Sequence, residues 1–331
     1  MTFDDLRLLA SGFQPAKLLL AALELGVFDA LGDGARSAEQ LAAGLGADPR
    51  ATGIACNALV ALGVLEPHAG GYRNAPVARR FLVSDSPESQ VSILRHVHAT
   101  WEDWGALDQT WRSGRSLGAD REQQQLPSSD AGVRDFILGM ENVTRELAPQ
   151  LAARLPVVGC RKILDLGGGP GNYALAFALR EPAAEVVHFD LEATSAVARE
   201  FLDGRPGSER VTLRVGDFLH SPLGQGYDLV WASQILHMLG EADLQRLLVR
   251  VAAATAPGGL LAVHEHFLDA GKVSPRSAAL FGVHMLVATR GGRTYSFEEL
   301  EAWLPPAGFT PRERIDYGGI SRVLLAERGG R

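Results

Sequence analysis

The period of apolar and polar positions changes along this chain, and the changes divide it into three stretches. In the first, Leu18, Leu19, Ala22, Leu23 and Leu25 recur on one helical face that ends at Gly26. Ser37-Ala38-Glu39-Gln40 reads as a helix start, with serine at the cap and glutamine three positions on. Asp48-Pro49-Arg50 opens another helix with proline in its first turn, and Ile54, Leu59 and Leu62 face one side of it. Gly70-Gly71 then marks a turn before Tyr72. Helices followed by a hairpin predict a winged-helix-like domain over residues 1–95.

Residues 96–157 read as a helical connector. It contains Trp101, Trp104 and Trp111, a polar loop from Gly118 to Asp130, and then Phe136, Met140, Val143 and Leu147 at helical spacing. Core packing is expected for most of these, with a minority lining an apolar pocket for a small molecule. From residue 158 the pattern alternates strand and helix. Strands are expected at Lys162–Leu166, Val186–Leu191, Val211–Val215, Tyr227–Ala232, Leu260–Phe267, Arg312–Ile315 and Ser321–Ala326. A helix is expected from Glu241 to Ala254, ending before Pro257-Gly258-Gly259. Such alternation predicts an α/β domain over residues 158–331, a Rossmann-like doubly wound sheet that binds its ligands at the carboxyl ends of the strands.

Composition sharpens this in a few places. A net charge of −7 gives no global attraction to nucleic acid. Acidic residues outnumber basic ones up to Gln90, and the Pro49–Leu62 stretch carries a single arginine, Arg50, where a DNA-reading helix needs a basic stripe. An oligomerisation role fits that domain better. Cys56 and Cys160 form no metal or redox pattern, the amino terminus lacks a secretory layout, and no run approaches membrane-spanning length. The expectation is a cytoplasmic protein with no membrane or nucleic-acid partner.

The chemistry concentrates at strand ends. Asp165-Leu166-Gly167-Gly168-Gly169-Pro170-Gly171 leaves a strand through a glycine turn that lets backbone N–H groups approach a ligand. Gly169 to Ala174 also satisfies a dinucleotide fingerprint, with Asp190 near the distance of a ribose-binding acid. Two further acids favour another ligand. Asp165 lies inside the strand, and Asp217, followed by Phe218, ends a later one. Carboxylates at three strand ends suit an amine, a ribose diol and an adenine amino group, the polar handles of S-adenosyl-L-methionine (SAM). His237 follows the Tyr227–Ala232 strand, and Glu265 lies near the end of the next. Histidine can take a proton from a poorly nucleophilic hydroxyl, and a carboxylate can hold its tautomer. His264 and His266 flank Glu265 on the opposite face and lack an obvious third ligand, so no metal is expected. His284 is the second candidate base.

In the order of these features the chain resembles the class I SAM-dependent small-molecule O-methyltransferases, in the branch of plant phenolic, hydroxyindole and bacterial polyketide enzymes. The segments that carry the resemblance are Leu18–Leu31, Asp48–Thr52, Trp101–Trp104, the Asp165–Gly171 turn, Gly216–Phe218 and Ile235–His237. It implies a seven-stranded, mostly parallel sheet with an N-terminal all-helical winged-helix dimerisation domain, a homodimer, and no metal. Carried over residue by residue, it implies Asp165, Gly167 and Gly169 at the methionine end of SAM, Asp190 and Leu191 at the ribose, and Asp217 and Phe218 at the adenine. Thr144 and Ser233 complete that set; Ser233 stands where plant members often have lysine. His237 matches the general base and Glu265 one of two acids that bracket it. Phe136, Met140 and Met285 match positions that line the acceptor pocket, and Trp101, Gln234, His284 and Thr289 are further expected contacts of a small aromatic acceptor. The second bracketing acid is missing: Gly291-Gly292-Arg293-Thr294-Tyr295 puts Thr294 or a neighbour in its place, and Met238 follows the histidine where an acid is usual. N- or C-methylation, or decarboxylation, hydroxylation or pericyclic chemistry on the same fold, is the alternative, and a DNA-binding regulator the alternative of another class.

Overall fold

The computed structural model describes residues 1–116 and 130–330, which form two compact units, Met1–Ala99 and Thr100–Arg331. The loop expected from Gly118 to Asp130 lies outside the described residues apart from its last position, Asp130, which opens the helix Asp130–Thr144.

In the first unit the predicted helix starts take their expected form. Ser37 and Gln40 exchange side-chain and backbone hydrogen bonds in a capping box at the head of Ala38–Leu45. Asp48 caps Pro49–Ala61 by accepting the Ala51 N–H at 2.8 Å. The unit is not all-helical. Strands β1 (Ala35–Arg36), β2 (Leu65–His68) and β3 (Gly71–Asn74) form a small sheet, with β1 and β2 both antiparallel to β3. Gly71 sits where a Cβ would lie 2.1 Å from the Arg36 carbonyl oxygen, so only glycine lets β1 approach the hairpin. Before these come Phe3–Ser11 and Phe13–Glu24, which run on through Gly12 as one 22-residue helical stretch. By length and composition this stretch could cross a membrane, which the sequence pattern alone did not anticipate. Leu20, Ala22 and Leu23 nevertheless anchor its second half in the unit's core, while Phe3, Leu8 and Phe13 are exposed.

The second unit is built on a seven-stranded sheet in the order β6-β5-β4-β7-β8-β10-β9. The strands are β4 (Lys162–Leu166), β5 (Glu185–Asp190), β6 (Val211–Val215), β7 (Tyr227–Ser233), β8 (Thr255–Glu265), β9 (Phe309–Ile315) and β10 (Arg322–Arg328). All pairs from β6 to β8 are parallel, and β10 runs against both its neighbours. Alternate residues build two cores. Leu164, Leu166, Val230 and Val263 pack under the helices Glu241–Ala254 and Phe297–Ala307. On the other face Ile163, Leu229 and Trp231 pack under Leu147–Arg154 and Asn172–Arg180. Burial on both faces is why these strands read as continuous apolar runs. The Glu241–Ala254 helix has the predicted bounds, but Pro257-Gly258-Gly259 lies inside β8, where the register against β7 shifts. Trp111, in the connector where core packing is expected for most apolar positions, is 78% exposed on the helix Leu107–Ser113.

The chain reverses direction across the sheet between β4 and β7, leaving a crevice at their carboxyl ends.

Candidate active site

At the end of β4 the glycines do different work. A Cβ on Gly167 would lie 2.5 Å from the Ile235 side chain, and one on Gly168 2.3 Å from the His188 ring. Gly169 has φ of 55° and no heavy atom near where a Cβ would stand, so it is the glycine open to a ligand. The loop is tied to the next strand from both sides. The Gly169 N–H donates to Asp190 Oδ2 at 2.8 Å, and the Gly169 carbonyl meets His188 Nε2 at 3.0 Å. Asp190 Oδ1 accepts the Leu191 N–H at 2.7 Å. Asp165, almost wholly buried, accepts the Ala174 N–H at 3.0 Å. Burial pushes its carboxyl up to about 6, a rise the nearby His188 offsets only in part. Burial raises Asp190 as well. The two strand-end acids are thus brought together beside the glycine turn.

Asp217 is held within its own loop: it accepts the Leu219 N–H at 2.8 Å and faces His220 Nδ1 at 2.7 Å. Phe218 is buried in the core, and the Arg250 guanidinium grips its carbonyl at 3.0 Å. Thr144 donates to the Met140 carbonyl at 2.7 Å and accepts from Asn172 Nδ2 at 2.9 Å, which fastens its helix to the residue after the glycine turn. Ser233 turns to His264 Nδ1 at 2.8 Å. The other nitrogen of His264 meets Tyr317 at 2.6 Å and Ser321 at 2.8 Å, and burial drives this histidine down to about 4. Among the described residues no three His, Cys, Asp or Glu side chains cluster as metal ligands.

The second centre follows the next strand, β7. After β7, Gln234 takes a left-handed conformation (φ 57°) and donates its N–H to the His264 carbonyl at 2.9 Å. This reversal delivers Leu236–Met238 as a single 3-10 turn with His237 buried in it. His237 Nδ1 lies 2.7 Å from Glu265 Oε2, while Glu265 Oε1 accepts the N–H groups of Leu236 at 2.8 Å and of His237 at 3.3 Å. Burial would raise the Glu265 carboxyl, but the facing imidazole and these N–H groups hold it below its ordinary value. Glu265 is therefore an anion that fixes the His237 proton on Nδ1 and leaves Nε2 as the basic edge. Gly292 passes so close behind that a Cβ would stand 2.3 Å from the His237 carbonyl oxygen. Tyr295 donates to the Leu239 carbonyl at 2.5 Å, Thr294 is buried, and Arg293 pairs with Glu299, so this segment buttresses the turn without supplying a second acid.

The chain matches known proteins over both units. Residues 121–310 match the O-methyltransferase domain, and residues 8–84 match the O-methyltransferase dimerisation domain. The chain belongs to the O-methyltransferase family. It is a SAM-dependent methyltransferase. It is 32% identical to the 3-hydroxy-5-methyl-1-naphthoate 3-O-methyltransferase of Streptomyces sahachiroi, over 91% of this chain and 87% of that protein. It is 33% identical to the acetylserotonin O-methyltransferase of Mus musculus molossinus, over 99% of this chain and 89% of that one. Among solved structures it is similar to human N-acetylserotonin methyltransferase in complex with SAM, with a TM-score of 0.86, 27% identity, and coverage of 99% of this chain and 98% of that chain.

The residues expected around an acceptor lie on several elements of this methyltransferase. Phe136 packs with Val133, Ile137 and Leu191 against the helix Glu192–Leu202. Met140 and Trp101 are half-buried, and Met285 is buried. Thr289 spends its hydroxyl at its helix end, donating to the Met285 carbonyl at 2.7 Å and accepting the Gly292 N–H at 2.8 Å. Sequence reasoning missed Asn172, Phe281 and Trp104 as site residues. Phe281 packs edge-on against His237, with ring centres 4.8 Å apart, and the Trp104 indole donates to His284 Nδ1 at 3.2 Å. The spacing of Phe281 three before His284 was the available signal.

Proposed function

We propose that this methyltransferase methylates a phenolic or enolic hydroxyl of a small aromatic compound, with His237 as general base and Glu265 as the residue that positions it. The observation carrying this reading is the 2.7 Å contact of His237 Nδ1 with the buried Glu265 carboxylate. A phenol with pKa near ~10 is mostly protonated at neutral pH, so a base at the reacting oxygen accelerates its attack. With Nδ1–H committed to Glu265, His237 Nε2 accepts the hydroxyl proton, and Glu265 stabilises the imidazolium that results. The aromatic acceptors named for the naphthoate and acetylserotonin relatives support the same substrate class.

SAM supplies an electrophilic methyl group on a sulfonium. The residues fit it. Asp165 is a buried carboxylate held by the Ala174 N–H, so an ammonium group would stabilise its charged form. Asp190 suits a pair of hydroxyls, and the space beside Gly169 admits a backbone-close ligand. We assign Asp165, Gly167, Gly169, Thr144 and Ser233 to the methionine end, Asp190 and Leu191 to the ribose, and Asp217 and Phe218 to the adenine. Trp101, Phe136, Met140, Gln234, His284, Met285 and Thr289 are assigned to the acceptor, with residues 96–157 as the helical segment contributing to its pocket and 158–331 as the SAM-binding domain. Residues 1–95 act as a winged-helix dimerisation domain of a homodimer. The match at residues 8–84 and the exposed Phe3, Leu8 and Phe13 support that role.

Mass spectrometry with methyl-labelled SAM and a panel of phenols, hydroxyindoles and polyketide aglycones tests the reaction. One labelled methyl on oxygen is the expected product. SAM bound but never consumed across the panel would overturn methyl transfer to oxygen.

A further inference from the structure

His284 sits across Phe281 from the proposed base and is wired the opposite way. Its Nδ1 lies 3.2 Å from Trp104 Nε1, and the two rings are within 13° of parallel. An indole N–H can only donate. The bond therefore needs a lone pair on Nδ1, which requires a neutral imidazole with its proton on Nε2. A charged His284 would present N–H to N–H there. Burial also favours the neutral ring, as does the nearness of His237. Phe281 packs against both histidines, with ring centres 4.8 Å from His237 and 5.7 Å from His284. His284 cannot serve as the second base while Trp104 holds it, because the nitrogen left over already carries its proton.

We propose that the Trp104–His284 pair is a specificity element, in which His284 Nε2–H donates to a carbonyl or ether oxygen carried by the acceptor's ring system away from the reacting hydroxyl. This rests on the acceptor being aromatic and bound beside His237. The pair selects oxygenated polycyclic phenols over phenols whose other ring is pure hydrocarbon, since an unpaired donor in a half-buried site is left unsatisfied by the latter.

The test measures binding to the enzyme loaded with S-adenosylhomocysteine, by calorimetry, with 6- and 7-hydroxy-1-tetralone against 5,6,7,8-tetrahydro-2-naphthol. The wild type should bind at least one ketone about tenfold more tightly than the hydrocarbon phenol, the size of one satisfied hydrogen bond. His284→Phe and Trp104→Phe should erase that preference, and His284→Gln, which keeps an N–H donor, should retain part of it. Equal affinities in the wild type, binding of none of the three, or a preference that survives His284→Phe overturns the proposal. His237→Ala separates this from the base assignment: the ketone preference should persist there while turnover is lost. Persistent turnover in that variant would sink the base and leave the His284 result standing on its own.

Discussion

The cofactor edge and the acceptor edge of the crevice are held by different kinds of contact. At the ends of β4 and β5, the carboxylates of Asp165 and Asp190 are fixed by backbone N–H groups of Ala174, Gly169 and Leu191. At the acceptor edge, His237 and His284 are fixed by side chains, Glu265 and Trp104, that lie 28 and 180 residues away in sequence. Backbone-held groups tolerate sequence change nearby, provided the glycine turn survives. Side-chain-held histidines take their chemistry from one partner each, so a single substitution there changes what the ring can do. The two contacts imply opposite tautomers, with the proton on Nδ1 in His237 and on Nε2 in His284.

The largest break expected is at the acceptor edge. His237→Ala should lower kcat by about 10²–10⁴-fold, the range of a lost general base, with SAM affinity little changed. Steady-state kinetics beside a SAM titration checks both halves. Glu265→Gln should cost less, about 10–100-fold in kcat. It keeps the hydrogen-bonding shape but removes the anion that stabilises the imidazolium, so the pH profile should move with the rate.

At the cofactor edge the same charge removal should have two opposite effects. Asp165→Asn should weaken SAM binding about tenfold or more, since a charge-assisted hydrogen bond is lost. It should also stabilise the SAM-free protein at neutral pH. The folded-state pKa of Asp165, about 6, lies above its ordinary 3.8, so the folded protein holds the proton more tightly. That group's contribution to stability is fullest below pH 3.8 and is lost as pH rises to about 6, by up to about 3 kcal/mol for a shift of that size. Asparagine escapes the loss, and denaturant titrations at pH 5 and 7.5 measure it. His264 has the reverse sign. Its folded pKa of about 4 lies below the ordinary 6.5, so its contribution is complete above pH 6.5 and disappears as pH falls toward 4. Thermal melts across that window should show a shallower acid limb in His264→Phe.

The difference between the edges also explains what could be read from the sequence. Asp165, Gly169 and Asp190 belong to one strand–turn–helix–strand unit, and their chemistry lies in local spacing. The strands around them were legible because both faces are buried. His237 and Glu265 were legible as ends of neighbouring strands, a pairing that topology alone imposes. The pairing of Trp104 with His284 was not, because it joins a short connector helix to a helix beyond β8 and no periodicity links them. Trp111 misled for the same reason: a tryptophan in an amphipathic stretch does not announce which face is covered. Nor did the sequence separate Gly167 and Gly168, which admit close packing, from Gly169, beside which a Cβ would meet nothing.

Nitrogen-detected NMR of the histidine side chains in the S-adenosylhomocysteine complex addresses the tautomers directly, with His237→Asn and His284→Asn for assignment. At pH 7.5 His237 should carry its proton on Nδ1 and show a free, basic Nε2, while His284 should carry its proton on Nε2. A His237 protonated on Nε2 would contradict the account, because the edge offered to the acceptor would then be unable to take its proton.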